Sequence, residues 1–246
     1  LTINRPAARN AMNIDVLQRL PHVLEQLADD DAVRVVVITG AGDQAFCAGG
    51  DISGLDHQSS GRSAELVEQL DQWAQASVLL HEMPKPTIAV LNGVAAGAGM
   101  ALALSCDLRV AARSASMLSA FARLAMPGDF GGSYFLTQLV GSAKARELYF
   151  LSERISSDEA LSLGLVNRVV SDTELVSAVE QLVQQLLRSP PGMYRAMKKN
   201  LNAAMPCNLR ALVRQEAELM IECALSDETR RATEGFFSEK TKNSDA

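Results

Sequence analysis

Two stretches of small residues each follow an apolar run, and both could bring backbone close to a ligand. Residues 46–52 read Phe-Cys-Ala-Gly-Gly-Asp-Ile after the run 33–39, and residues 93–100 read Gly-Val-Ala-Ala-Gly-Ala-Gly-Met after the run 87–91. A helix that begins after such a turn leaves its first N–H groups unpaired and partly positive. Two such turns side by side would direct two N–H groups at one oxygen, which stabilises an enolate. The simpler interpretation is a pair of tight turns in an α/β protein.

Composition and charge narrow the class of protein. The chain has 246 residues, 48% of them hydrophobic and 21% charged, which predicts a packed core. The net charge of −6, without a run of Lys or Arg, argues against a nucleic-acid partner. Four cysteines and three histidines show no metal-ligand spacing, so we expect reduced thiols, no metal and a cytoplasmic location. No apolar run reaches membrane-spanning length and no signal peptide is evident, so we expect no membrane partner.

The order of elements predicts the fold class. Strand patterns alternate with helical ones over the first two thirds, as in the buried run 33–39 and the strand 87–91. From residue 172 onward the pattern is almost wholly helical. We therefore predict an α/β protein with a parallel core over residues 1–190 and a helical region over 191–246. The C-terminal helices pack either on this core or on other subunits.

Motifs along the whole chain resemble the crotonase (enoyl-CoA hydratase/isomerase) superfamily. Their order and spacing carry the resemblance, since none is decisive alone. The matching pieces are Asn4-Arg5-Pro6 with Asn10-Ala11, Val35–Gly40, Phe46–Ile52, Lys85–Ala89, Asn92–Gly99, Ser105-Cys106-Asp107, Arg154–Ala160 with Gly164-Leu165-Val166, and Glu234-Gly235-Phe236-Phe237.

This resemblance implies a fold, a ligand and a set of site residues. The fold would be a spiral of ββα turns with a helical trimerisation region, giving a homotrimer or a dimer of trimers. The ligand would be an acyl-CoA thioester, with coenzyme A as part of the substrate and no further cofactor. The backbone N–H groups of Ala48 and Ala98 would form the oxyanion hole. The residues implied to bind substrate or coenzyme A are Arg9, Gly49, Gly50, Asp51, Ile52, Gly97, Phe121 and Lys240, with Lys242 beside the last.

One departure from the family pattern bears on the reaction. Family hydratases use two glutamates, and the matching positions here are Ala101 and Phe121. Hydration needs a base for water and an acid for the α-carbon. Because neither side chain can supply a proton, the resemblance does not carry the hydratase mechanism over to this chain.

One acid remains in a suitable motif. Residues 125–132, Ala-Met-Pro-Gly-Asp-Phe-Gly-Gly, resemble the aspartate motif of isomerase-like crotonases, with Gly128 where proline is usual. A double-bond shift needs one group to carry a proton from C2 to C4, and a carboxyl with a pKa raised by an apolar pocket suffices. Asp129 is thus the predicted acid/base. Its alternative role is to cap the helix that begins near Gly131.

Three functions stay open on the sequence. The first is an enoyl-CoA isomerase that uses Asp129. The second is a hydratase, or another crotonase-type reaction, with a rearranged acid or an ordered water. If Asp129 is not the base, His57 is the next residue to test, although a solvated loop histidine is the simpler interpretation. The third is an acyl-CoA-binding protein without catalysis. A dinucleotide-binding turn is disfavoured because Leu102 replaces the third glycine of the fingerprint.

Overall fold

The computed structural model describes most of the chain. The described residues are 1–51, 63–205, 208–227, 229–231 and 233–235. The strands are β1 (Thr2–Ile3), β2 (Val36–Gly40), β3 (Ala45–Cys47), β4 (Thr87–Leu91), β5 (Val94–Ala96), β6 (Leu108–Ala112), β7 (Ser116–Leu118), β8 (Ile155–Ser156) and β9 (Arg168–Val170). The helices are α1 (Ile14–Asp29), α2 (Ser63–Glu82), α3 (Ala98–Ser105), α4 (Gly132–Leu151), α5 (Ser157–Ser162), α6 (Leu175–Leu187), α7 (Pro191–Ala203) and α8 (Leu209–Ala224).

The strands form two sheets that the chain visits alternately. One sheet has the order β1-β2-β4-β6-β9 and is parallel throughout. The other has the order β3-β5-β7-β8, and only its β7–β8 pair is antiparallel. Each repeat places one strand in each sheet and then a helix, as in β2-β3-α2 and β4-β5-α3. The predicted spiral of ββα turns is therefore confirmed.

Local sequence signals account for the element boundaries. Asn13 caps α1, since its side chain accepts a hydrogen bond from the N–H of Val16 at 3.1 Å. All five residues of β4 are buried, as expected for a β-branched and apolar strand in a parallel sheet. The predicted strand over 33–39 is observed as β2, three residues later at its start.

Helix α4 is broken at Gly141. This residue has φ 75° and ψ 163°, a conformation that side-chain-bearing residues rarely adopt. The segments on either side of Gly141 are helical.

The C-terminal helices share the core of the spiral. Helix α8 packs on α2 and buries Leu209, Val213 and Ala217. On α7, the buried Lys198 donates hydrogen bonds to the Leu80 carbonyl (2.9 Å) and Asp107 Oδ2 (2.8 Å). These contacts join residues on the two sides of position 190. They do not test the division predicted there, which stays a prediction. In the described part of the chain, no helix is long and apolar enough to cross a bilayer.

Candidate active site

The two small-residue turns lie against each other. Strands β3 and β5 are parallel neighbours, so the turns that follow them lie at the same sheet edge. A Cβ atom at Gly49 would lie 3.0 Å from the Ala96 carbonyl oxygen and 3.7 Å from the Ala98 nitrogen. A Cβ atom at Gly99 would overlap the Cys47 carbonyl. Glycine is therefore required for this approach, and we call residues 47–50 and 97–99 the donor turns.

Ala48 does not supply a donor to this edge. Its N–H already donates to the carbonyl of Arg9 at 3.1 Å. The structure therefore contradicts its predicted role in the oxyanion hole. Gly50 is a better candidate because of the geometry of its pairing with Met12.

Gly50 forms a parallel bridge with Met12. The bridge uses the Met12 N–H to Gly49 oxygen bond (2.8 Å) and the Asp51 N–H to Met12 oxygen bond (2.9 Å). In a parallel bridge the N–H of the central residue points to the opposite side, so the Gly50 N–H points away from Met12. Within the described residues, neither this amide nor that of Ala98, the first residue of α3, has an acceptor. The available pair of donors is thus Gly50 and Ala98.

Ala101 and Phe121 face one small cavity. Its volume is about 10 Å³, which is room for one water-sized group. The Phe121 ring stacks on Tyr149, with centroids 5.9 Å apart. Ala101 and Phe121, the positions at which family hydratases have glutamates, thus lie against the same cavity. Gly97 lines this cavity as well. The lining residues are Gly97, Met100, Ala101, Leu104, Ser119, Phe121, Gly132 and Tyr149.

Asp129 is buried in the turn that leads into α4, residues 127–132, which we call the acid turn. Its side chain is 6% exposed, and Oδ1 has no hydrogen-bond partner within the described residues. Burial raises the pKa of Asp129 to about 8, with a smaller contribution from the charge of Glu216. The alternative role as a helix cap is wrong, because Gly131 is the N-cap and the described N–H groups at the start of α4 do not donate to the Asp129 carboxyl.

Two residues of this site were not expected from the sequence. Glu216 of α8 is buried and accepts hydrogen bonds from the N–H groups of Gly131 (2.5 Å) and Ser133 (3.2 Å) and from Ser133 Oγ. The Tyr149 hydroxyl is buried, lines the cavity and has no partner in the described chain. Burial raises the pKa of both groups above the usual range. Neither residue lies in a motif, so the sequence carried no signal for them.

The remaining predicted residues have varied positions. Arg9 is exposed beside the donor turns, and Asp51 forms an ion pair with Arg5 at 3.0 Å. Four residues with predicted roles lie outside the described part of the chain: Ile52, His57, Lys240 and Lys242.

Cys47 is not suited to act as a nucleophile, although it lies in a donor turn. Burial raises the pKa of its thiol to about 12, so the thiolate is not populated near neutral pH. Among the residues with described positions, no cluster of three or more His, Cys, Asp or Glu could hold a metal ion.

Comparison with known proteins decides the family. A model described as enoyl-CoA hydratase/isomerase matches residues 1–244. The chain belongs to this family. It is 33% identical over 242 residues to a short-chain-enoyl-CoA hydratase of Clostridium acetobutylicum, covering 98% of this chain and 91% of that protein. It is 32% identical over 242 residues to a 1,2-epoxyphenylacetyl-CoA isomerase of Escherichia coli, covering 98% and 92%.

A solved structure shows the same fold with a ligand. It is a putative enoyl-CoA hydratase from Thermobifida fusca in complex with acetoacetyl-CoA. That chain is 33% identical, with a TM-score of 0.77, and the match covers 89% of this chain and 88% of that one. The family member described here is therefore an enzyme of the crotonase fold, and the expected resemblance is confirmed.

Proposed function

We propose that this enoyl-CoA hydratase/isomerase family member is an enoyl-CoA isomerase, with Asp129 as its acid/base. The observation that carries the proposal is the placement of carboxyl groups. Ala101 and Phe121 share a cavity that neither supplies with a carboxylate, whereas Asp129 is buried nearby and its Oδ1 has no partner in the described part of the chain. A single buried carboxyl with a pKa of about 8 is suited to take up a proton and return it near neutral pH.

The proposed reaction moves one proton and the C3–C4 double bond. The Asp129 carboxylate removes a proton from C2 of a 3-enoyl thioester, and the electron pair of that C–H bond passes to the thioester oxygen. The N–H groups of Gly50 and Ala98 stabilise the resulting dienolate, and losing one such donor costs about 3 kcal/mol. Protonated Asp129 then returns its proton to C4, which restores the carbonyl and leaves a 2-enoyl thioester.

The rest of the proposed site follows the family. Arg9, Gly49, Asp51, Ile52 and Lys240 are assigned to coenzyme A, which belongs to the substrate rather than being a resident cofactor. The Thermobifida fusca relative bound to acetoacetyl-CoA supports a CoA thioester as ligand. We further propose a homotrimer or a dimer of trimers, which the exposed apolar side chains of Phe150 and Leu201 favour. Gly97 and Phe121 would contact the acyl group.

A hydratase-type reaction is the second candidate. The Clostridium acetobutylicum relative carries a hydratase name, and here Asp129 Oδ1 and the Tyr149 hydroxyl are both buried, without a hydrogen-bond partner among the residues that the structure describes. A water held by these two groups would replace the two glutamates. A binding protein without catalysis is the third candidate, and it predicts CoA-ester binding without exchange of the α-proton.

The test is proton exchange at C2, followed by ¹H NMR in D₂O with a 3-enoyl-CoA and a saturated acyl-CoA. Asp129→Asn should lower exchange and double-bond migration by about 10³-fold while acyl-CoA still binds. Asp31→Asn is the matched control, since Asp31 is exposed. Exchange that survives in Asp129→Asn would contradict the proposal. Uptake of ¹⁸O from labelled water into product would favour the hydratase.

A further inference from the structure

Glu216 lies at the acid turn although it belongs to a distant helix. Its two carboxylate oxygens accept from the Gly131 N–H, the Ser133 N–H and Ser133 Oγ, and its side chain is 7% exposed. These donors follow Asp129 by two and four residues. Among the described residues no other side chain caps the N-terminus of α4, so the carboxylate of Glu216 takes that place.

Three donors favour the ionised form of Glu216 against its burial. Burial raises the pKa of Glu216, and the hydrogen bonds from Ser133 and Gly131 act in the opposite direction because they stabilise the charged form. The carboxylate is therefore the form of Glu216 that these three donors fit.

The negative charge of Glu216 raises the pKa of Asp129. The described titratable groups that interact electrostatically with Asp129 are Glu216 from α8 and Tyr149 from α4. Tyr149 stays neutral across the physiological range, because its pKa lies well above the usual value. Only Glu216 therefore contributes a charge, and two nearby carboxyls in a dry site do not both ionise readily.

We propose that Glu216 is a positioning residue for Asp129: it fixes the turn that carries this carboxyl and places a second negative charge beside it. The inference rests on the proposed function, in which Asp129 carries the proton. It adds that the C-terminal helix sets the pH at which Asp129 becomes a base.

The direct test is the ¹³C NMR titration of protein labelled at the aspartate carboxyl carbons, with the Asp129 signal assigned by its loss in Asp129→Asn. Glu216→Gln keeps the size of the side chain, and its amide oxygen can still accept from Gly131. The midpoint of Asp129 should fall by about one pH unit, because a like charge is removed. Glu218→Gln is the control on the same helix, since Glu218 is exposed and paired with Arg214 at 3.3 Å. It should leave the midpoint in place.

The exchange assay supplies a second readout. The rising limb of the rate against pH should move to lower pH in Glu216→Gln, by the same amount as the NMR midpoint. A rate that falls equally at every pH, with an unmoved limb and midpoint, would show a merely structural role and overturn the inference. Should Glu216→Gln fail to fold, wild-type protein labelled at the glutamate carboxyl carbons tests the same point, because Glu216 must ionise at a lower pH than Asp129 to act on it as a charge. A midpoint of Glu216 above that of Asp129 would also overturn the inference.

The two proposals fail in different ways. Absence of exchange in the wild type, or exchange that persists in Asp129→Asn, contradicts the isomerase. The NMR midpoint of Asp129 needs no turnover, so it judges the influence of Glu216 in either case.

Discussion

The donor turns and the acid turn line the same cavity, through Gly97 and Gly132, but they are held by different means. Main-chain hydrogen bonds hold the donor turn at 47–50, such as the one from the Ala48 N–H to the Arg9 carbonyl. A side chain from α8, that of Glu216, holds the acid turn. The donor turns are therefore sensitive to added volume, whereas the acid turn is sensitive to charge.

The largest effect is expected in the donor turns. In Gly99→Ala the added methyl group would overlap the Cys47 carbonyl and lie 2.8 Å from its Cβ atom, so the two turns must separate. We expect at least 10²-fold loss of α-proton exchange, the effect of losing one oxyanion donor. ¹H NMR time courses in D₂O at saturating acyl-CoA measure this exchange rate.

The matched control is Gly192→Ala, since a Cβ atom at Gly192 meets nothing within 4 Å and the residue lies in α7. It should keep full activity and stability. Wild-type exchange in Gly99→Ala would show that the close approach of the turns has no role in catalysis.

A middle-sized effect is expected for the pH dependence of stability. The pKa of Asp129 is about 8 in the folded protein, above its ordinary value of 3.8, so the folded state binds more protons than the unfolded state between these pH values. The free energy of unfolding must therefore fall as the pH rises through this interval. Asp129→Asn removes that loss and should gain about 3 kcal/mol relative to wild type between pH 5.5 and pH 8.

Urea unfolding of both proteins at the two pH values measures the difference. The control Asp31→Asn alters an exposed carboxyl and should follow the wild type. If Asp129→Asn and the wild type change in parallel with pH, the raised pKa of Asp129 is wrong.

The smallest effect is expected at Tyr149. Its hydroxyl has no partner in the described chain, so Tyr149→Phe keeps the ring and removes only an unsatisfied buried group. Stability should stay level or rise by up to about 1 kcal/mol. In Tyr194→Phe, by contrast, the lost hydroxyl donates to the Leu186 carbonyl at 3.0 Å, and a loss of about 1 kcal/mol is expected.

Thermal unfolding compares the two tyrosine variants. A clear loss of stability in Tyr149→Phe would mean that its hydroxyl has a partner, such as an ordered water shared with Asp129. That result would strengthen the hydratase alternative.

The difference between the donor turns and the acid turn also explains how much of the site could be predicted from the sequence. The donor turns lie in two glycine-containing stretches, each a few residues after an apolar run, 33–39 or 87–91, so the close approach of the two turns could be anticipated from the sequence. The choice of Ala48 as donor was wrong, because the bridge between Gly50 and Met12 that decides amide direction joins segments far apart in sequence. The three-residue strands β3, β5 and β7 are too short to show a period, so the second sheet was not anticipated.

The acid turn was only half predictable. Asp129 lies in a glycine-rich motif that the family resemblance identifies. Glu216 lies on an amphipathic helix, where a single glutamate among exposed ones such as Glu218 carries no local sign of burial. The role of Glu216 depends on how α8 packs in the tertiary structure. The hydrophobic pattern of the sequence alone does not reveal that packing.

Because α4 is broken at Gly141, two parts of the site come from one short stretch of the sequence. A straight helix would carry Tyr149 about 25 Å from Gly132, at 1.5 Å per residue. Instead, a Cβ atom at Gly132 would touch the Tyr149 hydroxyl, so α4 folds back on itself as a helical hairpin with Gly141 at its corner. One uninterrupted stretch of chain, from the acid turn to Tyr149, thus supplies both the buried carboxyl and a tyrosine that lines the cavity. A one-residue insertion at Gly141 would misalign the two, even with Glu216 in place on α8.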